Sequence, residues 1–348
     1  MGRSVVGLDV GTTAVRGAEI SVRRGQVVLD RFAQVALPPG AVVEGEVAEP
    51  EAVAATLKAL WRRARFGTRR VVMGVANQRV VVRLVDLPWM EPGELRRSLR
   101  FQVQEYIPIP VDEAELDFDV LGEHETGGQR LMRVLLVAAQ KEMVDGHVRA
   151  GMRAGLEPVG IDLTPFALVR SLAPEGGMPL AETGEALIDV GAKVTNIVVH
   201  AGGVPRFVRI LLMGGQDVTD ALRIGLDVDD DAAERTKLEV AAGAAHDPEV
   251  DQILEQRVSL FTEEVRGSLD FYRAQSAAVP VSRVLLSGGG SRLAILGEQL
   301  TDALRLPVEP GRTLQALRVG RVGLGAEELA ELEPVAAVPV GLALGEVA

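Results

Sequence analysis

The sequence predicts an α/β protein with two domains, each of which contains a copy of the same β-hairpin unit. First, an opening pattern of three strands returns later in the chain, with Asp9 and Asp189 in corresponding places. Second, short apolar runs alternate with stretches of helical periodicity, which is typical of layered α/β folds. Third, the 348 residues are 47% hydrophobic and only 3% aromatic, so the chain can build two sizeable aliphatic cores.

The first unit, residues 1–78, is predicted to consist of four strands and one helix. The helix begins at Pro50, which suits a first helical turn, and Val53, Leu57 and Leu60 follow at helical spacing. Strands are predicted over residues 5–10, 14–20, 26–36 and 69–77.

Residues 79–140 have the pattern of an insertion. A strand, RVVVRLVDLP, precedes an amphipathic helix predicted over 91–107, with Leu95 and Leu99 on one face. Two further strands flank a turn at Gly127-Gly128. Strand, helix, strand and strand make a compact subdomain.

The chain then returns to the first unit. A helix from Lys141 ends before Pro158, and a strand over 159–163 leads into a helix that Thr164 and Pro165 begin. Residues 176–185 have the composition of a linker.

The second half repeats the opening hairpin. A strand ends in Asp189 and is followed by Gly191, a polar turn and another strand, as Asp9 is followed by Gly11. A helix follows Gly214-Gly215, and an acidic helix carries Glu234 and Lys237. Beyond them are a helix over 251–275 with an apolar core stripe and a strand that meets Gly288, Gly289 and Gly290 before a helix.

Composition excludes several classes of protein. The net charge of −12 and the pI near 5.0 disfavour nucleic acid and anionic lipid as partners. The absence of cysteine excludes disulfides and thiolate metal sites, and no targeting segment is recognised. The C-terminal PVAAVPVGLALG is too short to span a bilayer, and its two prolines argue against a helix over its first half. None of the four histidines has metal-ligand spacing, so each is interpreted as a surface or packing residue: His124, His147, His200 and His246.

Asp9 is costly at the end of a buried strand unless something compensates its charge. One interpretation is structural, with Asp9 capping a turn in which Gly11 supplies the backbone freedom. The other is a phosphate held by turn N–H groups, with the carboxylate holding Mg²⁺ through water. The repeat at Asp189 favours the second, because two such turns can close on one polyphosphate.

The motifs LDVGTT at 8–13, IDVGAKVTN at 188–196 and LLSGGGSRL at 285–293 resemble the actin-like ATPase superfamily over essentially the whole chain. Within it, the segment 137–172 and the insertion resemble the PilM family of type IV pilus assembly. The resemblance implies two duplicated ribonuclease-H-like lobes with a strand-helix-strand-strand subdomain of the FtsA/PilM type. The implied division is 1–78 with 141–183, the insertion 79–140, 184–226 with 266–348, and a small upper subdomain, 227–265.

The resemblance also implies ATP and Mg²⁺ between the lobes, with Asp9 and Asp189 facing the metal mostly through water. Asp162 or Thr164 would orient the attacking water, and hydrolysis would be slow because Thr is a weak positioner. Arg16 stands where relatives usually place a lysine, and Glu234 and Lys237 match a pair that contacts the nucleoside. The full implied nucleotide set is Gly11, Thr12, Thr13, Arg16, Gly191, Ala192, Lys193, Thr195, Gly214, Gly215, Glu234, Lys237, Gly288, Gly289, Gly290 and Arg292.

The implied function is to dock the cytoplasmic N-terminal tail of an inner-membrane protein of the PilN type, in a groove between the first subdomain and the inserted one. The chain would then be cytoplasmic, peripheral to the membrane through this partner, with pilus platform or motor proteins and self-association as further contacts. An FtsA-like division protein, a sugar kinase and a heat-shock chaperone ATPase are the alternatives. The uncharged Pro-, Gly- and Ala-rich end argues against an FtsA-type membrane helix, no second Asp in a Gly-rich setting supplies a kinase base, and no separate substrate-binding segment follows for a chaperone.

Overall fold

The computed structural model describes residues 4–173, 183–276, 278–320 and 322–347. The strands described in the first half are β1 (Ser4–Val10), β2 (Ala14–Arg23), β3 (Gln26–Ala36), β4 (Val42–Val43), β5 (Glu46–Val47), β6 (Arg70–Val75), β7 (Val81–Pro88), β8 (Ala114–Thr126), β9 (Gln129–Gln140) and β10 (Glu157–Leu163). The strands described in the second half are β11 (Gly184–Val190), β12 (Thr195–Ala201), β13 (Val204–Leu211), β14 (Val281–Ser287), β15 (Val308–Pro310) and β16 (Arg318–Val319).

Helices connect these strands. Those described are α1 (Pro50–Ala64), α2 (Pro92–Gln102), α3 (Lys141–Arg153), α4 (Thr164–Leu172), α5 (Gly215–Gly225), α6 (Asp230–Ala241), α7 (Pro248–Arg273), α8 (Ala294–Leu304) and α9 (Ala326–Val347). The predicted helix from Pro50 is present, and it ends where Arg65 turns to a left-handed backbone.

Two sheets share one topology. The first has the order β10-β6-β1-β2-β3-β16, and the second has the order β13-β12-β11-β14-β15. In each, three antiparallel strands that follow one another in sequence lie beside two parallel strands reached by helical crossovers. The duplication predicted from the sequence therefore extends to five strands of each sheet, and β16 is an addition to the first.

The insertion forms a separate three-stranded antiparallel sheet, β7-β9-β8, covered by α2. Leu95 and Leu99 of α2 are buried against this sheet, as the predicted stripe requires. The helix ends at Gln102, earlier than the predicted residue 107, and turns carry the chain onward to Pro110. Val103 remains buried from the turn that follows.

Helices α4 and α9 pack together between the two sheets. One apolar core joins them to residues of both sheets, including Ile20 of β2 and Val198 of β12. Although the sequence-based division assigns α9 to the second lobe, it packs on β1, β2 and β6 of the first sheet. The domain boundaries stay a prediction.

The prediction that Pro334 and Pro339 prevent a helix is wrong, because both lie inside α9. Each interior proline costs ~3 kcal/mol. Burial of an aliphatic side chain returns about 2 kcal/mol. All residues from Val335 to Ala343 are buried, so burial outweighs the loss of two helical hydrogen bonds.

Two smaller predictions, the start of α4 and the linker, can also be compared with the structure. The helix α4 begins at Thr164 and Pro165 as predicted, but Thr164 makes no capping hydrogen bond. The predicted linker 176–185 lies mostly outside the described residues, and its last two residues belong to β11. Among the residues described, no helix is both long and apolar enough to cross a bilayer.

A side chain at Gly341 should disrupt the contact between α4 and α9. A Cβ there would lie 1.8 Å from the Ala167 carbonyl oxygen, whereas a Cβ at Gly297 of α8 would meet nothing within 4 Å. We expect Gly341→Ala to lower the free energy of unfolding by about 3 kcal/mol or more. The control Gly297→Ala should raise it by about 0.5–1 kcal/mol. Urea denaturation measures both, and equal stability of Gly341→Ala and the wild type would contradict the close contact.

Candidate functional site

The two hairpin turns have the same hydrogen bond. Gly11 N–H donates to the Ala14 carbonyl at 3.1 Å, and Gly191 N–H donates to the Val194 carbonyl at 3.0 Å. Each turn follows the central strand of its sheet, β1 or β11. The turns are therefore equivalent parts of the repeated unit.

Both turns line the same space between the sheets. An inner cavity of about 70 Å³ adjoins an outer cavity of about 210 Å³. Both cavities are lined by Asp9, Thr13, Arg16, Asp189, Gly191 and Ala192. Gly11, Thr12 and Thr164 line the inner cavity.

The outer cavity contains a lysine held by three acceptors. Lys237 Nζ lies 2.6 Å from Glu234 Oε2, and it donates to Thr219 Oγ1 at 2.8 Å and to the Gly215 carbonyl at 3.2 Å. The ammonium group is thus fixed at the wall that α5 and α6 form.

The triple glycine closes the outer cavity against the end of β11. Gly288 has φ +86°, and a Cβ there would lie 2.4 Å from the Val190 carbonyl oxygen. A Cβ on Gly290 would lie 2.5 Å from Val190 Cγ1, whereas a Cβ on Gly289 would meet nothing within 4 Å. Gly288 and Gly290 thus allow close packing, and Gly289 presents bare backbone beside the cavity.

Asp9 and Arg16 form an ion pair across the first hairpin. They are direct partners in the register of β1 and β2, and Arg16 Nη1 donates to Asp9 Oδ2 at 3.1 Å. Gln34 is the next residue in this row, on β3, and it lines the outer cavity. Arg16 Nε is buried and has no hydrogen-bond partner among the described residues, so this guanidinium has an unused donor.

Asp189 is the more buried of the two carboxylates, at 9% exposure. Burial and the nearby charge of Asp9 raise its pKa to about 6, although Ser287 Oγ donates to Oδ1 at 3.0 Å. A raised pKa means that the site disfavours a second negative charge beside Asp9. A cation between the two carboxylates would remove that cost.

Four residues of the sequence-predicted set do not line these cavities. Asp162 forms an ion pair with Arg170 and accepts the Leu163 N–H. Asp162 therefore points to the contact of α4 with α9, because Arg170 also donates to the Gly341 carbonyl at 3.0 Å.

The other three lie behind the second turn. Lys193 Nζ pairs with Asp220 at 2.6 Å, and Thr195 is fully buried and donates to the Met213 carbonyl. Gly214 is packed against the turn, where a Cβ would lie 2.3 Å from the Gly191 carbonyl oxygen. The first N–H groups of α5 donate to carbonyls of the turn, which uses the helix N-terminus to hold the turn.

Three polar side chains that line the cavities were not predicted: Gln34, His147 and Asn196. Asn196 had a signal in the sequence, because alignment of the two hairpins places Asn196 opposite Asp189 as Arg16 is opposite Asp9. His147 had none, because it comes from α3 and only the tertiary fold brings it to the turns.

The fold and the paired turns define an actin-like protein, as the sequence predicted. A family model described as "Type IV pilus assembly protein PilM" matches residues 7–347. The chain therefore belongs to the PilM family, and this match confirms the prediction. Membership of this family favours a pilus assembly protein over a division protein, a sugar kinase or a chaperone.

Solved structures agree with this assignment. A chain of a "PilM-PilN type IV pilus biogenesis complex" is 32% identical and superposes with a TM-score of 0.86, and the match covers 100% of both chains. The ethanolamine utilization protein EutJ from Carboxydothermus hydrogenoformans shares the fold, with a TM-score of 0.58, 15% identity, and coverage of 99% of this chain and 90% of that one.

Among curated proteins, the cell division protein FtsA of Bacillus subtilis (strain 168) is 28% identical over 160 residues. That match spans 44% of this chain and only 36% of FtsA, about a third of its length.

The pKa of Asp189 predicts a pH-dependent stability in the absence of ligands. The folded chain binds this proton more tightly than the unfolded chain, whose ordinary value is 3.8, so the contribution of Asp189 to stability falls as pH rises from 3.8 to about 6. In metal-free buffer, Asp189→Asn should raise the free energy of unfolding at pH 8 by up to about 3 kcal/mol and change it little at pH 4. Urea denaturation at both pH values measures this. The exposed Asp302→Asn serves as the control, and an equal gain at both pH values would refute the assignment.

Proposed function

We propose that this chain binds ATP with Mg²⁺ between its lobes and, as a component of type IV pilus assembly, docks the N-terminal cytoplasmic tail of an inner-membrane partner of the PilN type. The observation that carries nucleotide binding is the shared cavity between two equivalent Asp-x-Gly turns. The observation that carries the partner is family membership with the full-length match to the chain from a PilM–PilN complex.

The residues present suit a nucleotide with a divalent cation. Gly11 and Gly191 belong to tight turns at the cavity, and the cationic Arg16 lines both cavities. Such groups bind phosphate oxygens. Bare backbone at Gly289 leaves room for a flat group, and the Glu234–Lys237 pair lies at the same cavity, where a ribose or base can accept and donate hydrogen bonds.

In this proposal Asp9 and Asp189 hold the cation, mostly through water, since Mg²⁺ keeps several of its waters in protein sites. Mg²⁺ would supply the positive charge that balances the phosphates and the two carboxylates. Arg16 orients Asp9 through their ion pair, and Ser287 orients Asp189 through its hydroxyl. The chain then holds the phosphates between parts of both halves, so the bound nucleotide stabilises a closed arrangement of the lobes.

Hydrolysis, where it occurs, is slow in this proposal. The hydroxyl of Thr164 lines the inner cavity, whereas Asp162 is turned to Arg170. Thr164 is therefore the one of the two sequence-predicted residues that remains near the phosphates. ATP acts mainly as a ligand that orders the cleft.

The partner site is proposed at the junction of the insertion and the first sheet. Half-buried apolar side chains from both parts meet there and include Val80, Val82 and Val137 from the insertion and Ile161 and Phe166 from the first unit. An apolar segment that orders on docking would complete their burial. Through that partner the chain would be held at the inner face of the cytoplasmic membrane.

Nucleotide binding can be tested at two residues that the sequence analysis both placed in the ATP site, of which only one lines the cavities. Asp9→Ala should abolish binding of ATP with Mg²⁺ because it removes a carboxylate from both cavities. Lys193→Ala should leave the Kd nearly unchanged, because Lys193 pairs with Asp220 outside the cavities. Calorimetric titration measures both variants, with thermal unfolding to show that they remain folded. Tight binding by Asp9→Ala would overturn the site.

Partner binding can be tested with one charge at the junction. Val82→Asp should weaken binding of a peptide from the partner's N-terminal tail by tenfold or more, because a carboxylate would be desolvated in an apolar contact. The control is Leu260→Asp, at a 54% exposed apolar position on α7. Fluorescence anisotropy of a labelled peptide, with and without ATP, gives both affinities. Equal affinities of the two variants would exclude this junction.

A further inference from the structure

His147 is a buried histidine that the phosphate turns do not explain. It lies on α3, is 1% exposed, and lines the inner cavity with Asp9, Gly11 and Thr164. A packing role would explain its burial. It would not explain why a ring with a polar edge stands beside the turns.

The tautomer of His147 follows from its one hydrogen bond. Nδ1 lies 3.0 Å from the Met143 carbonyl oxygen, one turn earlier in α3. Because a carbonyl oxygen only accepts, Nδ1 carries the proton. In the neutral ring Nε2 is then a bare acceptor, and among the described residues it has no hydrogen-bond partner.

The ring is held in its neutral form. Burial lowers the pKa of His147 from its ordinary value of 6.5, although the bond to Met143 and the negative charge of Asp9 act in the opposite direction. Arg16 is held in its ion pair with Asp9 and so offsets part of that charge. Nε2 therefore remains an acceptor at neutral pH.

Two other polar groups in the inner cavity also lack partners. Asn196 is 3% exposed, and its Oδ1 has no hydrogen bond within the described part of the chain. The Thr164 hydroxyl, at the start of α4, likewise has no hydrogen bond to a described residue. A buried polar atom without a partner, such as Asn196 Oδ1, is costly. Because His147 and Thr164 line the same cavity with polar atoms that make no hydrogen bond to described residues, the set favours a bound polar molecule.

Water fits this set of groups. The cavity of about 70 Å³ exceeds the volume that one water needs. His147 Nε2 and Asn196 Oδ1 can each accept a hydrogen from water, and the Thr164 hydroxyl can donate to its oxygen. A water in this cavity would lie beside the turns that the proposed function assigns to the phosphates.

We propose that His147 is a catalytic residue whose Nε2 accepts a hydrogen bond from the water that attacks the terminal phosphate. This inference rests on the proposed nucleotide binding. In the step, the water oxygen bonds to phosphorus, and the bond from phosphorus to the bridging oxygen breaks, with the electron pair going to the diphosphate. The water proton passes to Nε2 and from there to solvent, which restores the neutral ring.

Two substitutions separate catalysis from packing in the full-length chain. The Asn amide in His147→Asn can replace Nδ1–H and keep the bond to the Met143 carbonyl, but nothing stands at the place of Nε2. The Gln amide in His147→Gln reaches the place of Nε2 and can accept through its oxygen, but it gives up the bond to Met143. A packing role predicts that the Asn variant is the better one, and a catalytic role predicts the reverse.

We expect His147→Asn to lower kcat for ATP hydrolysis by about 10²-fold, and His147→Gln to retain more activity. The Kd for ATP with Mg²⁺ should change by less than about twofold in both variants, since the contact forms with water and not with ATP. A readout independent of turnover is the Nε2 resonance of His147 in ¹⁵N-histidine-labelled protein, assigned with the Asn variant. It should shift when ADP, Mg²⁺ and vanadate are added together, and less with ADP and Mg²⁺ alone.

Three results would overturn the inference: full hydrolysis by His147→Asn, an Nε2 resonance that vanadate leaves unmoved, or a wild type that binds ATP without hydrolysing it. Failure of the wild type to bind ATP would instead refute the proposed nucleotide function.

Discussion

The contact of α9 with backbone from the first half of the chain is the constraint on which the cleft depends. A Cβ at Gly7 would lie 1.8 Å from the Pro339 carbonyl oxygen, and a Cβ at Gly341 would lie 1.8 Å from that of Ala167. Glycine is thus required at these two positions, where the backbones of β1, α4 and α9 come into contact. Because α9 also touches β14, this contact fixes the first sheet relative to the second. The ends of β1 and β11 then open into the same space, which gives the two turns a common cavity.

Placing the two turns face to face has an electrostatic cost. Asp9 is offset by Arg16 at 3.1 Å, whereas Asp189 accepts from the Ser287 hydroxyl and forms no ion pair with any described residue. The raised pKa of Asp189 is the result of this difference in partners together with its deeper burial. A ligand that brings positive charge to the cleft is therefore favoured by the same geometry that makes the empty cleft unfavourable. At Asp189, the burial and the nearby negative charge that lower the stability of the ligand-free chain would thus raise its affinity for a cation.

Sequence patterns predicted what is local and repeated, and failed where tertiary contacts decide. The hairpins, the insertion and the apolar stripe of α7 follow from residue spacing, and so does the presence of Asp9 and Asp189 in one cleft. The ion pair of Asp162 with Arg170 could not be predicted from the sequence, because it depends on the packing of α4 on α9. The helix through Pro334 was missed because local propensity ignores the burial that offsets it.

The duplication supplies a symmetric frame, and the differences between its copies indicate what the cleft can do. Arg16 and Asn196 occupy equivalent places, each across the hairpin from its aspartate. Arg16 is a cation with a free donor, which suits an anion, whereas Asn196 presents an acceptor without a partner in the described chain. At this one pair of equivalent positions, the first hairpin thus offers a cation and the second a neutral amide. A ligand bound between them would therefore meet a cation on one side and a neutral amide on the other.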